Sequence, residues 1–80
     1  MLPSNIPSDS SQKKIIRAFK KIGFKILPSY YGKGSHRLIE DPKTGTVITI
    51  QHKIYKEIIK SYCKDVDALG YDVNEFIRKL

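Results

Sequence analysis

The sequence predicts a small α+β domain, αβββα(α): a three-stranded antiparallel sheet with helices packed on one face. Three observations predict it. Apolar residues recur at helical spacing near the start and again through the second half. Three short runs rich in β-branched residues lie between these stretches. At 80 residues the chain supports one small core, and so small a sheet has one face to bury, not two.

Each element has its own local reason. Residues 1–9, with Pro3 and Pro7 among small polar residues, read as a flexible N-terminal arm, and residues 10–80 as the single folded domain. Ser10 or Ser11 can accept backbone N–H groups as an N-cap, after which Ile15, Phe19 and Ile22 form an apolar seam. Gly23 supplies the left-handed stop. The opposite face of this helix carries Lys13, Lys14, Arg17, Lys20 and Lys21, a basic stripe.

Phe24 to Leu27 reads as a short strand ended by Pro28, which lacks the N–H a sheet ladder needs. His36 to Glu40 and Thr46 to Gln51 read as two strands of a hairpin, since Asp41-Pro42-Lys43-Thr44-Gly45 between them holds the residues of a tight connection. From Ile54 to Leu69 the apolar residues Ile54, Ile58, Tyr62, Val66 and Leu69 keep to one helical face, and Gly70 ends it. Asp72 followed by Glu75 has the form of a capping box, which opens a last helix over Val73 to Leu80 with Phe76 and Leu80 turned inward.

Charge narrows the partner. Fifteen Lys and Arg against eight Asp and Glu give +7, which points to an anionic partner such as nucleic acid, an acidic protein or a lipid surface. Residues 12–64 hold thirteen basic residues and three acids, 13 − 3 = +10, whereas residues 65–80 hold two and four, 2 − 4 = −2. The positive field therefore belongs to the first two thirds of the chain. No run approaches the ~20 apolar residues that span a bilayer, and the opening residues lack the basic start and apolar stretch of an export signal. A cytoplasmic location is expected.

The residues with the most chemistry lie together in "GKGSHR". Histidine exchanges a proton near neutrality, as cleavage of RNA through its own 2′-hydroxyl requires, so His36 is the candidate catalytic residue. Gly32 and Gly34 let the backbone approach a phosphate, and Ser35 adds a hydroxyl. Lys33 and Arg37 supply charge where a pentacoordinate phosphate gains it. The same residues also suit a turn leading into a strand, so this set by itself leaves both readings open. His52 is a second candidate, either for phosphate contact or for capping the third strand; Lys20 and Lys21 of the basic stripe join the candidate phosphate-binding set. Tyr30 and Tyr31 can stack on bases or pack against the sheet edge.

Gly23-Phe24, Gly34-Ser35-His36, His52, and Gly70 followed by Glu75-Phe76 and Leu80 occur in an order and at distances similar to those of the HicA family of toxins, messenger-RNA interferases of toxin–antitoxin pairs. The similarity covers residues 12–80. It implies a double-stranded-RNA-binding-domain-like fold, an endoribonuclease with His36 as the catalytic residue, and a HicB-like antitoxin that covers the site. The chain departs from the pattern at Ile50, where the family commonly has a proline two residues before the second histidine, and in a longer loop before Gly34.

No cofactor is expected. His36, His52 and Cys63 lie too far apart in sequence for a zinc site, and adjacent Glu40 and Asp41 point to opposite faces of a strand, which disfavours a magnesium site. The single Cys63 reads as a small, partly buried apolar residue. Two other functions fit the composition: a non-catalytic RNA-binding module of the same fold, and a DNA-binding protein using the last two helices. The DNA reading suffers from Asp72 and Glu75 at the start of its candidate recognition helix.

Overall fold

The computed structural model describes residues 5–28 and 36–80. In chain order the elements are β1 (Asp9–Ser11), α1 (Gln12–Lys21), β2 (Lys25–Ile26), β3 (Arg37–Glu40), β4 (Val47–Ile50), β5 (Lys53–Tyr55), α2 (Lys56–Ala68) and α3 (Val73–Arg78). Strands β2, β3 and β4 form the expected antiparallel sheet in that order. Its register pairs Ile39 with Ile26 and Ile48, and Arg37 with Ile50.

Side-chain alternation decides which face is covered. Ile39, Ile48 and Ile50 are buried against the helices, whereas Val47 and Thr49 between them are exposed. Helix α1 contributes Ile15, Ala18 and Phe19, α2 contributes Ile59, Tyr62, Cys63 and Val66, and α3 contributes Val73, Phe76 and Ile77. Phe19 is the hub, with ring centroids 4.9 Å from Phe24, 4.6 Å from Phe76 and 5.8 Å from Tyr62.

The helix ends follow the local signals. Ser11 Oγ accepts the Lys14 N–H at 3.2 Å, and Asp72 Oδ1 accepts the Asn74 N–H at 2.9 Å. Both predicted glycine stops are left-handed, Gly23 at φ 116 and Gly70 at φ 86. Each sits in a reciprocal pair of closing bonds: Gly23 N–H to Lys20 and Phe24 N–H to Phe19, then Gly70 N–H to Asp67 and Tyr71 N–H to Val66. The Glu75 carboxylate engages Arg78 and Lys79.

Three expectations change. The arm drawn over residues 1–9 is structured in part, because Ile6 packs against the core and Asp9 opens β1. Strand β1 pairs with β5 as a second, two-stranded sheet, Ser10 opposite Ile54. The helix expected from Ile54 begins instead at Lys56. Ile54 is buried as a strand residue, and the inward face of α2 is centred on Ile59 and Cys63, with Ile58 only half-buried. Cys63 is fully buried, and desolvation pushes its thiol pKa up to about 11.

Candidate nucleic-acid interface

The antiparallel pairing of β3 with β4 brings the first residue of one strand beside the last residue of the other. Arg37 stands opposite Ile50, so His36, immediately before β3, and His52, two residues past β4, share one end of the sheet. Both imidazoles are exposed. The first turn of α1 adjoins this end, because Gln12 Nε2 donates to the Ile50 carbonyl at 3.2 Å.

Arg37 shares its face of the sheet with Ile39 and Ile50, the helix-covered side. It is half-buried, and its Nε is withdrawn from solvent with no hydrogen-bond acceptor among the described residues. That N–H is left able to donate to an acceptor supplied by an anionic ligand. Lys33, Gly34 and Ser35, with Tyr30 and Tyr31, lie outside the described residues.

Lys20 and Lys21 are exposed in the last turn of α1, and the topology takes them away from the two histidines. That turn leads through Gly23 into β2, whose Lys25 pairs with Glu40 at the opposite end of the sheet from Arg37. Ten helical residues separate the two ends of α1, about 15 Å. Lys20, Lys21 and His36 can therefore contact one ligand only if it is an extended polymer.

Nearer the histidines, sequence reasoning missed two residues. Lys53 and Tyr55 of β5 line an open cleft of about 580 Å³ together with His52, Lys13 and the β1 serines. The available signal was Lys53 directly after His52. Its use depended on recognising a three-residue strand where the apolar spacing indicated a helix.

The loop positions of the β4 end are held from α2. At the turn end of the β3–β4 pair Asp41 N–H donates to the Thr46 carbonyl at 2.9 Å, so Thr46, Ile48 and Ile50 direct their backbone groups toward β3, and Thr49 and Gln51 direct theirs to the outer edge. The Tyr62 hydroxyl accepts the Gln51 N–H at 3.1 Å and donates to the Thr49 carbonyl at 3.3 Å. Desolvation, with Asp65 as a smaller contribution, raises the Tyr62 pKa. This bond pair fixes the backbone immediately before His52.

The far end of the sheet carries a different cluster. Asp41 is fully buried and accepts from the Tyr71 hydroxyl at 2.6 Å, the Thr44 hydroxyl at 3.0 Å and the Lys43 N–H at 3.1 Å. The Tyr71 bond, with those from Lys43 and Thr44, holds the Asp41 pKa below the ordinary carboxylate value against the opposing effect of desolvation. In return Tyr71 is pushed up to about 12, and the Lys43 ammonium stands 4.2 Å from the centre of its ring. With every Asp41 oxygen engaged and the cluster remote from His36, this is a clasp joining the β3–β4 turn to the segment before α3.

Among the described residues no group of three His, Cys, Asp or Glu side chains is placed to hold a metal ion, and no helix is long and apolar enough to cross a membrane. Comparisons with protein-family models, with curated proteins and with solved structures find no match to this chain.

Proposed function

We propose that the protein is an endoribonuclease of the HicA type, a messenger-RNA interferase acting in the cytoplasm and restrained by a HicB-like antitoxin. The observation that carries this reading is the exposure of His36 at a sheet end that it shares with a second exposed histidine. In the proposed reaction His36 takes the 2′-hydroxyl proton as O2′ attacks phosphorus. The P–O5′ bond breaks, and the leaving oxygen is protonated from His52 or solvent. Arg37, with Lys33 and the Gly34-Ser35 backbone, balances the charge gathered on the phosphate oxygens. The basic α1 face, ending at Lys20 and Lys21, holds the flanking strand. The net charge of +7 favours both RNA and an acidic antitoxin surface.

The test is RNA incubated with the protein in EDTA, with products identified by their ends. A 2′,3′-cyclic phosphate and a 5′-hydroxyl are expected, and His36→Ala should slow cleavage by roughly 10²- to 10⁴-fold. Loss of cleavage on chelation would reject the metal-free scheme, and full activity in His36→Ala would reject the residue. Salt-sensitive RNA binding without products would favour the non-catalytic RNA-binding module.

A further inference from the structure

We propose that the cleft between the β1–β5 ribbon and the first turn of α1 binds one unpaired ribonucleotide, its base against the Tyr55 ring and its phosphate toward Lys53 and Lys13. This rests on the RNA reading above and adds to it a subsite for a nucleotide flanking the cleaved bond.

Tyr55 is the starting point. It is 59% exposed, one of two large apolar residues left so among the described residues, whereas Tyr62 and Tyr71 use both ring and hydroxyl within the fold. Strand alternation explains the exposure: Ile54 points into the core at 3% exposure, so its neighbours Lys53 and Tyr55 stand together on the solvent side, about 7 Å apart. An ammonium thus lies one strand repeat from a bare aromatic face.

Apart from Ile54, the remaining lining residues have polar side chains. Ser10, Ser11 and Gln12 close the cleft, with Lys13 on the helix side and Asp9 across from Tyr55. Two lysines against one aspartate leave it positive by 2 − 1 = +1. A protein-docking site wants a cluster of exposed apolar side chains at its centre, and here Tyr55 is the one exposed aromatic side chain of the lining, with Ile54 buried beneath it. One aromatic face beside cations is what single-stranded nucleic acid uses, since every base has a π-face and every step a phosphate. A base within a duplex is stacked on its neighbours and cannot reach the ring, which restricts the ligand to unpaired RNA. His52 supplies the connection to chemistry, because it lines this cleft and also belongs to the sheet end that holds His36.

The experiment titrates a short 2′-O-methyl RNA, uncleavable through its 2′ position and carrying 2-aminopurine, into the full chain. Binding should quench the fluorophore by stacking. Tyr55→Phe should retain quenching and affinity, whereas Tyr55→Ala should bind roughly tenfold more weakly with quenching lost. Lys53→Gln should weaken binding and lower the salt slope by about 0.7. Both positions are exposed, and circular dichroism checks that the three variants fold. Affinity and quenching unchanged in Tyr55→Ala would overturn the subsite while leaving the RNA reading intact, as would equal Tyr55 dependence for a duplex of the same sequence. Failure of the unaltered chain to bind any RNA would remove the functional reading itself, and the subsite with it.

Discussion

Removing one oxygen atom tests how the end of β4 is held. Tyr62→Phe keeps the ring in place, with its edge contact to Phe19 at 5.8 Å, and deletes only the hydroxyl that joins Gln51 and Thr49. Each such bond contributes about 0.5–1.5 kcal/mol net. The bond to Thr49 is long at 3.3 Å, and both residues have exposed side chains that let water reach the freed backbone groups. The lower part of the range applies, about 1 kcal/mol for the pair. In a domain of this size that lowers the midpoint of thermal unfolding by about 4–8 °C. Tyr62→Ala also empties the ring's place in the core and should cost about 3–5 kcal/mol. Thermal denaturation followed by circular dichroism measures both, and hydrogen exchange localises the effect: the Gln51 amide should exchange faster in Tyr62→Phe beyond the global change. Unfolding of Tyr62→Phe at the unaltered midpoint, or as early as Tyr62→Ala, would refute this account.

Two further predictions concern pH. The folded-state pKa of Asp41 is depressed, so its contribution is present above the unfolded value of 3.8 and is lost as pH falls through the folded value; Tyr71→Phe, which removes its main partner, should flatten the acid limb of a urea-midpoint profile. Cys63 behaves in the opposite sense: its folded pKa is raised from 9.0 to about 11, so its contribution is complete below pH 9 and declines as pH rises toward 11. Cys63→Ala should lower stability at neutral pH by emptying a thiol-sized space and reduce the alkaline slope in that window, measured on the same urea profiles.

The elements that sequence analysis placed well are those that carry their own boundary chemistry. Ser11, Gly23, Gly70 and Asp72 act within a few residues of themselves, so their roles in starting and ending helices need no distant partner. The β1–β5 pair had no such signal. Asp9–Ser11 contains no β-branched residue, and its strand conformation comes from pairing with β5. The start of α2 was hidden for a related reason: its N-cap is Tyr55, which makes no side-chain cap bond, and Ile54 lies in helical phase with Ile58 although its backbone is extended. Asp41 read as a turn residue, and its burial against Tyr71 follows from a contact thirty residues away in sequence.

By itself the sequence determined the α+β class, the hairpin that sets the two histidines near one another, the N-caps of α1 and α3, the glycine stops and the excess positive charge, because periodicity, capping, turn chemistry and charge are local properties. Tertiary packing decided that Lys20 and Lys21 stand at the far end of the sheet, that Arg37 lies on the helix side with a withdrawn Nε, and that Tyr55 and Lys53 face solvent beside His52. Those placements depend on strand register and on the direction in which a helix crosses the sheet, and both are set by burial of side chains remote from one another in the chain.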